Sequence, residues 1–202
     1  MTNPILHLAR AYMCLTLGLP SSAPAPQIQR PDNRGVPKAG ETRTLPPSAF
    51  PELPKTVRKR LEALGCAVPQ VAVEVKSQNV VHGSFARPAQ TDWAVLCSRA
   101  GKSSIFIFWG KPTTCSSELA IREDSNYLQG DAEGHLVYSR QILSANIKKI
   151  LQYAQAFNQG GNGRASDYPR LDHAGVEDIF VGKASEIYYC SQGKWQTLQG
   201  AD

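Results

Sequence analysis

Three histidines in the body of the chain, His82, His135 and His173, are the side chains best suited to move protons near neutral pH. His82 or His173 beside a carboxylate or the Cys97 thiol would make a small hydrolase. The sequence lacks the Gly-x-Ser-x-Gly elbow, the His-Glu-x-x-His helix and the glycine-rich phosphate loop that mark established catalytic sites. The hydrolase is therefore the alternative hypothesis, and the first is a binding module without enzymatic activity.

Aromatic side chains concentrate in segments that are typical of β-strands, where successive residues face opposite sides of the sheet. Phe106, Phe108 and Tyr189 form a set that could face outward and bind a protein or a glycan. The competing interpretation is that these rings pack in the core. The partner class expected for a binding module is thus a protein or a glycan.

The positive charge of the chain is confined to its N-terminal third. Residues 1–66 contain nine basic and four acidic residues, whereas residues 67–202 contain thirteen of each. A nucleic-acid-binding domain normally carries its excess of basic residues on the folded surface that contacts the nucleic acid. The neutral body of the chain therefore argues against a nucleic-acid partner.

The first 25 residues have the layout of a short secretory signal peptide. Arg10 precedes an apolar run at residues 11–19, and small residues follow at 21–25. The run is too short to span a membrane, so no transmembrane segment is expected. The alternative is a disordered N-terminus in the cytosol. Export would place the protein in the periplasm or outside the cell.

Prolines separate a linker from the folded domain, because ten of the fourteen prolines fall within the first 54 residues. We expect a proline-rich linker over residues 26–52 and one domain over residues 53–202.

The cysteines are consistent with export. Cys14 lies in the predicted leader, which leaves Cys66, Cys97, Cys115 and Cys190, an even number suited to two disulfides. Three pairings are possible, and the spacing does not select one. The alternative is four buried free thiols.

Periodicity predicts a domain of the α+β class, with a mostly antiparallel β-sheet and two packed helices. One amphipathic helix starts at Leu53 and stops at Gly65, and a second covers residues 144–157 with Ser144 as its N-cap. The predicted strands are residues 79–85, 92–98, 103–109, 118–122 paired with 135–142, and a closing hairpin of 186–190 with 194–198.

Two segments carry a family resemblance. VHGSF at residues 81–85, followed after six residues by DWAVL at 92–96, resembles the FG-GAP (VCBS-type) repeat, and DHAGVEDIFV at 172–181 is a shorter echo. In that family such repeats build β-propellers of secreted and cell-surface proteins, and acidic residues of the loop bind calcium. A propeller needs four or more blades, which a domain of this length with two helices cannot supply.

The resemblance implies one candidate metal site. In the first copy Ser84 replaces the leading acidic residue, so no calcium is expected there. The second copy keeps Asp172, Glu177 and Asp178 around Gly175, a candidate calcium site, although Ala174 stands at a ligand position. The alternative is a turn in which Asp172 caps a short helix. No other cofactor is expected.

Overall fold

The computed structural model describes residues 42–71, 76–159 and 170–201, all within one compact unit, Gly35–Asp202. The predicted signal peptide and the predicted linker up to residue 41 lie outside the described residues. Among those described, no helix is both long enough and apolar enough to cross a bilayer.

The N-terminal part of the described chain supports helix α1. Strand β1 (Thr44–Leu45) leads through a turn of 3-10 helix to α1 (Lys55–Ala63), and β2 (Val68–Pro69) returns to pair with β1. Phe50 and Leu53 are buried beneath the helix, so the end of the proline-rich stretch belongs to the packed structure.

Helix α1 forms and ends as its sequence predicts. Val57 and Leu61, one turn apart, are its buried residues, and the basic residues lie elsewhere on the helix surface. Gly65 has a φ of +67° and its N–H donates to the Glu62 carbonyl, while the Cys66 N–H donates to the Leu61 carbonyl. These two bonds form a Schellman motif, in which glycine supplies the left-handed residue.

Four consecutive strands form the first large sheet, and each pairs antiparallel with the next along the chain. They are β3 (Val80–Gly83), β4 (Asp92–Arg99), β5 (Lys102–Phe108) and β6 (Glu118–Glu123). The β4–β5 turn consists of Ala100 and Gly101, both with positive φ. This is the two-residue hairpin turn that suits the twist of paired strands.

A second large sheet repeats this arrangement after a small two-stranded one. The small sheet pairs β7 (Leu128–Gly130) with β8 (Leu136–Tyr138). The second large sheet has the order β12–β11–β10–β9, and α2 connects β9 to β10. Its elements are β9 (Arg140–Ala145), α2 (Ile147–Gln159), β10 (Gly175–Phe180), β11 (Ala184–Ser191) and β12 (Lys194–Gln199).

The elements pack in four layers, helix on sheet on sheet on helix. Inner faces of the two large sheets share one apolar cluster, which includes Leu96 and Ile105 from the first sheet and Ile142 and Val176 from the second. The outer face of the first sheet packs against α1, and that of the second packs around Ile150 of α2. Period-two alternation along each strand supplies both faces.

A buried arginine, ion-paired within the second large sheet, joins the two large sheets. Arg140 of β9 is fully buried and donates to both carboxylate oxygens of Asp178, at 2.9 and 2.8 Å. Its remaining donors reach the Ser103 carbonyl and hydroxyl and the Ala120 carbonyl in the first sheet. Burial lowers the pKa of the guanidinium, but the hydrogen bonds and charge of Asp178 outweigh burial, so the pKa is raised.

The expected antiparallel strands and two packed helices are present, although strands dominate and the domain is closer to mostly β. The pairing of 118–122 with 135–142 is wrong, because β6 pairs with β5 while β8 pairs with β7. Ser144 lies inside β9, so it does not cap α2. Asn146 accepts the Lys149 N–H instead, as an N-cap residue does.

Candidate binding groove

A groove of about 640 Å³ lies between α1 and the outer face of the first large sheet. We call it the α1 groove. Val57 and Leu64 of the α1 segment line one side, and Phe106, Phe108 and Trp109 line the other. Its volume is within the range of small-ligand sites.

Strand alternation explains the aromatic floor. Ile105 and Ile107 of β5 pack between the two large sheets, so Phe106 and Phe108 face α1. Phe106 is only 9% exposed, whereas Phe108 is half-buried. Helix α1 therefore covers this face incompletely, and apolar surface remains accessible within the groove.

A fixed polar cluster forms one wall. The Arg99 guanidinium donates to Glu118 at 2.8 Å and lies 4.8 Å from the centre of the Phe106 ring. The Ser104 hydroxyl donates to the same Glu118 oxygen at 2.7 Å. Cation–π contact and hydrogen bonding together hold Arg99 in one orientation.

Arg60 lines the groove on the helix side. It is exposed, and within the described part of the chain no hydrogen-bond or ion-pair partner for its guanidinium is found. The groove therefore combines an apolar floor with one cation that is paired, Arg99, and one, Arg60, that has no partner among the described residues.

The Cys66–Cys97 disulfide fixes the C-terminal end of α1 on the sheet. The two Cα atoms are 5.3 Å apart, within the usual disulfide range. Directly beside it, Ala67 and Ser98 exchange two backbone hydrogen bonds, at 3.2 and 2.8 Å. This junction sets the distance between α1 and β4.

The far rim is held by a second disulfide. Cys115 and Cys190, with Cα atoms 6.2 Å apart, tie the β5–β6 connection to β11. Trp109 stacks on Trp195 with ring centres 5.6 Å apart, and the Trp195 indole N–H donates to the Ser116 carbonyl. The rim of the α1 groove is thus attached to the second large sheet.

Both disulfides confirm the expectation that the four cysteines pair rather than remain as free thiols. The structure selects one of the three possible pairings, which the spacing left open.

Of the three predicted outward aromatic residues, two lie in the groove. Phe106 and Phe108 line it, but Tyr189 is fully buried in the second sheet and stacks on His173 with ring centres 4.1 Å apart. Burial raises the pKa of the Tyr189 hydroxyl.

The imidazole ring of His173 contacts backbone carbonyls of the protein itself. Its two ring nitrogens each lie 2.9 Å from a backbone carbonyl oxygen, those of Ala174 and Cys190, and the residue is 6% exposed. A general base needs a ring nitrogen whose lone pair reaches the substrate. Both nitrogens of His173 face acceptors instead.

The other two histidines are exposed. His82 lies beside Trp93 with ring centres 5.1 Å apart, and none of the described residues forms a hydrogen bond with its ring. His135 accompanies Asp131 in the turn between β7 and β8. Cys97 is consumed by its disulfide. Of the proposed hydrolase pairs, His173 has a carboxylate nearby, with Asp172 Oδ1 3.9 Å from its Nε2, although both of its ring nitrogens face backbone carbonyls.

The three predicted calcium ligands have separate partners. Asp178 pairs with Arg140, Glu177 pairs with Lys149 and accepts the Ser185 hydroxyl, and Asp172 lies near Tyr189. Glu177 and Asp178 are consecutive in β10, so their side chains face opposite sides of the sheet. Within the described ranges, the group of three close metal-ligating side chains is Asp131, Glu133 and His135 instead. The calcium site at Asp172, Glu177 and Asp178 stays a prediction.

Asp92, the acidic residue that the first FG-GAP-like copy retains, organises its own loop. One carboxylate oxygen accepts the N–H groups of Phe85 and Ala86, at 2.9 and 3.2 Å. The other accepts the Gly110 N–H at 2.8 Å and the Gln90 side-chain amide. Asp92 is fully buried. Four N–H donors of the protein therefore surround this carboxylate.

Sequence reasoning missed the charged members of the α1 groove, Arg60, Arg99 and Glu118. Arg60 was indistinguishable from the other basic residues of α1, and Arg99 and Glu118 are nineteen residues apart. The pairing of β5 with β6, which the sequence did not reveal, brings them together.

Comparison of the chain with family models, with curated proteins and with solved structures finds no match.

Proposed function

We propose that this protein is an exported, single-domain binding module without enzymatic activity, and that its partner binds in the α1 groove. The observation that carries the proposal is an accessible apolar floor bordered by charged side chains. Such a combination favours binding, because the apolar surface provides affinity and the polar groups fix orientation. The engagement of His173 by backbone carbonyls argues against the alternative hydrolase.

Export to the periplasm or the outside of the cell is supported by the disulfides. Within the described ranges, every cysteine of the domain takes part in a disulfide. Disulfides of this structural kind persist in oxidising compartments. The predicted signal peptide at residues 1–25 is consistent with the same destination.

Intact-mass measurement of the natively expressed protein, with and without reduction and alkylation, tests export. We expect the mature chain to lack roughly 23 to 25 N-terminal residues and to have no free thiols before reduction. An uncleaved chain with five free thiols would contradict the proposal.

Binding in the groove can be tested with N-phenyl-1-naphthylamine, a neutral apolar dye whose fluorescence rises in apolar surroundings. We expect one dye molecule to bind the wild-type protein and Phe108→Ala to weaken that binding about tenfold. The matched control is Leu136→Ala, because Leu136 is a large apolar residue that is 51% exposed and lies outside the groove. Equal binding by the two variants would exclude the α1 groove as the apolar site.

The same dye separates the two functional hypotheses. His82→Ala and His173→Ala should leave dye binding unchanged, because neither residue lines the α1 groove. A hydrolytic activity that both the wild type and the Phe108→Ala variant display, and that a histidine substitution abolishes, would favour the alternative.

A further inference from the structure

We propose that the partner of the α1 groove is a protein segment in which an apolar side chain is followed or preceded closely by a carboxylate. This inference rests on the proposed function and specifies its partner. It follows from which groups in the groove already have partners and which have none among the described residues.

The aromatic faces favour a peptide over a glycan. A sugar ring binds by stacking on an exposed aromatic face, yet the guanidinium of Arg99 already covers Phe106. Trp109 is stacked on Trp195, and its indole N–H already donates to the Ser117 hydroxyl. What remains accessible is the apolar surface of Leu64 and Phe108, both half-buried, which suits an aliphatic or aromatic side chain.

The charge of the groove favours a carboxylate. Arg99 already forms an ion pair with Glu118, whereas Arg60 has no partner among the described residues. A guanidinium binds a carboxylate through two parallel hydrogen bonds, which a lone apolar ligand cannot form. The rest of α1 reinforces the preference, since its sequence KTVRKRLEA contains four basic residues and one acidic residue.

The two features are close together. Arg60 and Val57 lie one helical turn apart on α1, and both line the same groove as Phe108. A ligand that places an apolar side chain on the floor therefore carries its neighbouring residues past Arg60. This geometry selects the pairing of an apolar residue with an acidic one.

Selection from a displayed library of random heptapeptides on the full-length protein tests the proposal. We expect the enriched peptides to contain an aromatic or branched apolar residue within two positions of Asp or Glu. A synthetic peptide of that kind should displace N-phenyl-1-naphthylamine, and replacing its acidic residue by the corresponding amide should weaken binding about tenfold.

Arg60→Glu and Lys59→Glu provide matched variants, because both replace an exposed cation of α1 and only Arg60 lines the groove. Peptides selected on Arg60→Glu should keep the apolar residue and carry Lys or Arg in place of the acid, whereas those selected on Lys59→Glu should resemble the wild-type set. Enrichment without an acidic preference, or the same acidic preference in both variants, would overturn the proposal.

A glycan arm completes the experiment. Displacement of the dye by oligogalacturonate, with no enriched peptide, would assign the groove to an acidic glycan and overturn the peptide proposal while preserving the binding function. Failure of the dye to bind in a Phe108-dependent way would instead contradict the proposed function itself.

Discussion

At the level of single residues, Asp92 shows how a buried carboxylate can organise a loop through hydrogen bonds. Four donors converge on its two oxygens, and none of them is a cation. Hydrogen bonds to a buried charged acceptor are each stronger than those between neutral groups. Asp92 thereby holds the β3–β4 loop in place.

Asp92→Asn should therefore be costly although it changes few atoms. One of the two oxygens becomes an amide nitrogen that faces N–H donors, so at least one buried donor loses its acceptor. We expect the free energy of unfolding to fall by about 2 to 4 kcal/mol, as measured by urea denaturation.

The control is Asp131→Asn, which alters a partly exposed aspartate in a surface turn that also accepts backbone N–H groups. Because water can satisfy that turn, we expect a change below about 1 kcal/mol. Equal losses for the two variants would show that Asp92 is not the organising residue.

Calcium provides a second test at the residue scale. Glu177 and Asp178 are neutralised by Lys149 and Arg140, and a cation would have to displace those partners. We expect the melting temperature to be the same with millimolar CaCl₂ and with EDTA. A rise with calcium that Asp172→Asn abolishes would instead establish the metal site that the family resemblance implies.

At the level of elements, the two large sheets have the same construction. Each consists of four strands that are consecutive in sequence and pair antiparallel with their neighbours. The FG-GAP-like segment at 81–96 spans β3 and β4, and its echo at 172–181 contains β10. Blades of β-propellers are also four-stranded antiparallel sheets. The construction of the sheets does not test the family resemblance, which stays a prediction.

The disulfides act on different elements, so removing them should have separable effects. The Cys66–Cys97 bond closes 31 positions and the Cys115–Cys190 bond closes 75. From loop entropy, we expect losses in unfolding free energy of about 3 to 4 and about 4 to 5 kcal/mol when each pair is replaced by alanine. Urea denaturation measures both.

The order should be reversed for dye binding, which should suffer more from loss of the Cys66–Cys97 bond than from loss of the Cys115–Cys190 bond. The Cys66–Cys97 bond fixes α1, whereas the Cys115–Cys190 bond fixes only the far rim of the groove. N-phenyl-1-naphthylamine should therefore bind the folded Cys66→Ala, Cys97→Ala protein more weakly than the Cys115→Ala, Cys190→Ala protein. The reverse order would show that the rim, not the helix, defines the groove.

Local sequence signals predicted most of the elements but not how they pair. Helix α1 and strands β4 and β5 were predictable because alternation, a glycine stop and a two-residue turn are local features. The partner of β6 was not, since strand pairing depends on contacts remote in sequence. Strand β10 was predicted as part of a calcium loop, because two consecutive acidic residues, Glu177 and Asp178, are not typical of a buried strand.

The same limit applies to the groove. Phe106 and Phe108 were identifiable as candidates from alternation alone. How much of each ring is covered depends on where α1 packs. The sequence does not specify the cysteine pairing that holds α1 in that position. The charged members became visible only when β5, β6 and α1 were placed together.

At the level of the whole molecule, the two large sheets are joined by a polar network as well as by apolar packing. The Tyr138 hydroxyl is 3.1 Å from the Ser103 hydroxyl and donates to Asp124, and Arg140 reaches across to Ser103 and Ala120. Breaking one of these hydrogen bonds exposes the others to water. The sheets should therefore unfold together as one cooperative unit.

Alkaline pH should weaken this unit through its buried tyrosines. Burial raises the pKa of the Tyr138 hydroxyl, and burial together with the hydrogen bond to Glu186 raises that of Tyr188. Above pH 10 or so the unfolded chain releases these phenolic protons while the folded protein retains them, so stability falls as pH rises. Each tyrosine should contribute a decline of up to about 1.4 kcal/mol per pH unit.

Tyr138→Phe isolates the contribution of one tyrosine. Below pH 9 the variant should be less stable than the wild type by a constant amount of about 1 kcal/mol, because it lacks the hydroxyl contacts. Above pH 10 its unfolding free energy should decline less steeply, so the two curves converge. Urea midpoints measured from pH 8 to 11.5 give both curves. Curves that stay parallel throughout would show that the Tyr138 hydroxyl loses its proton as readily in the folded protein as in the unfolded chain.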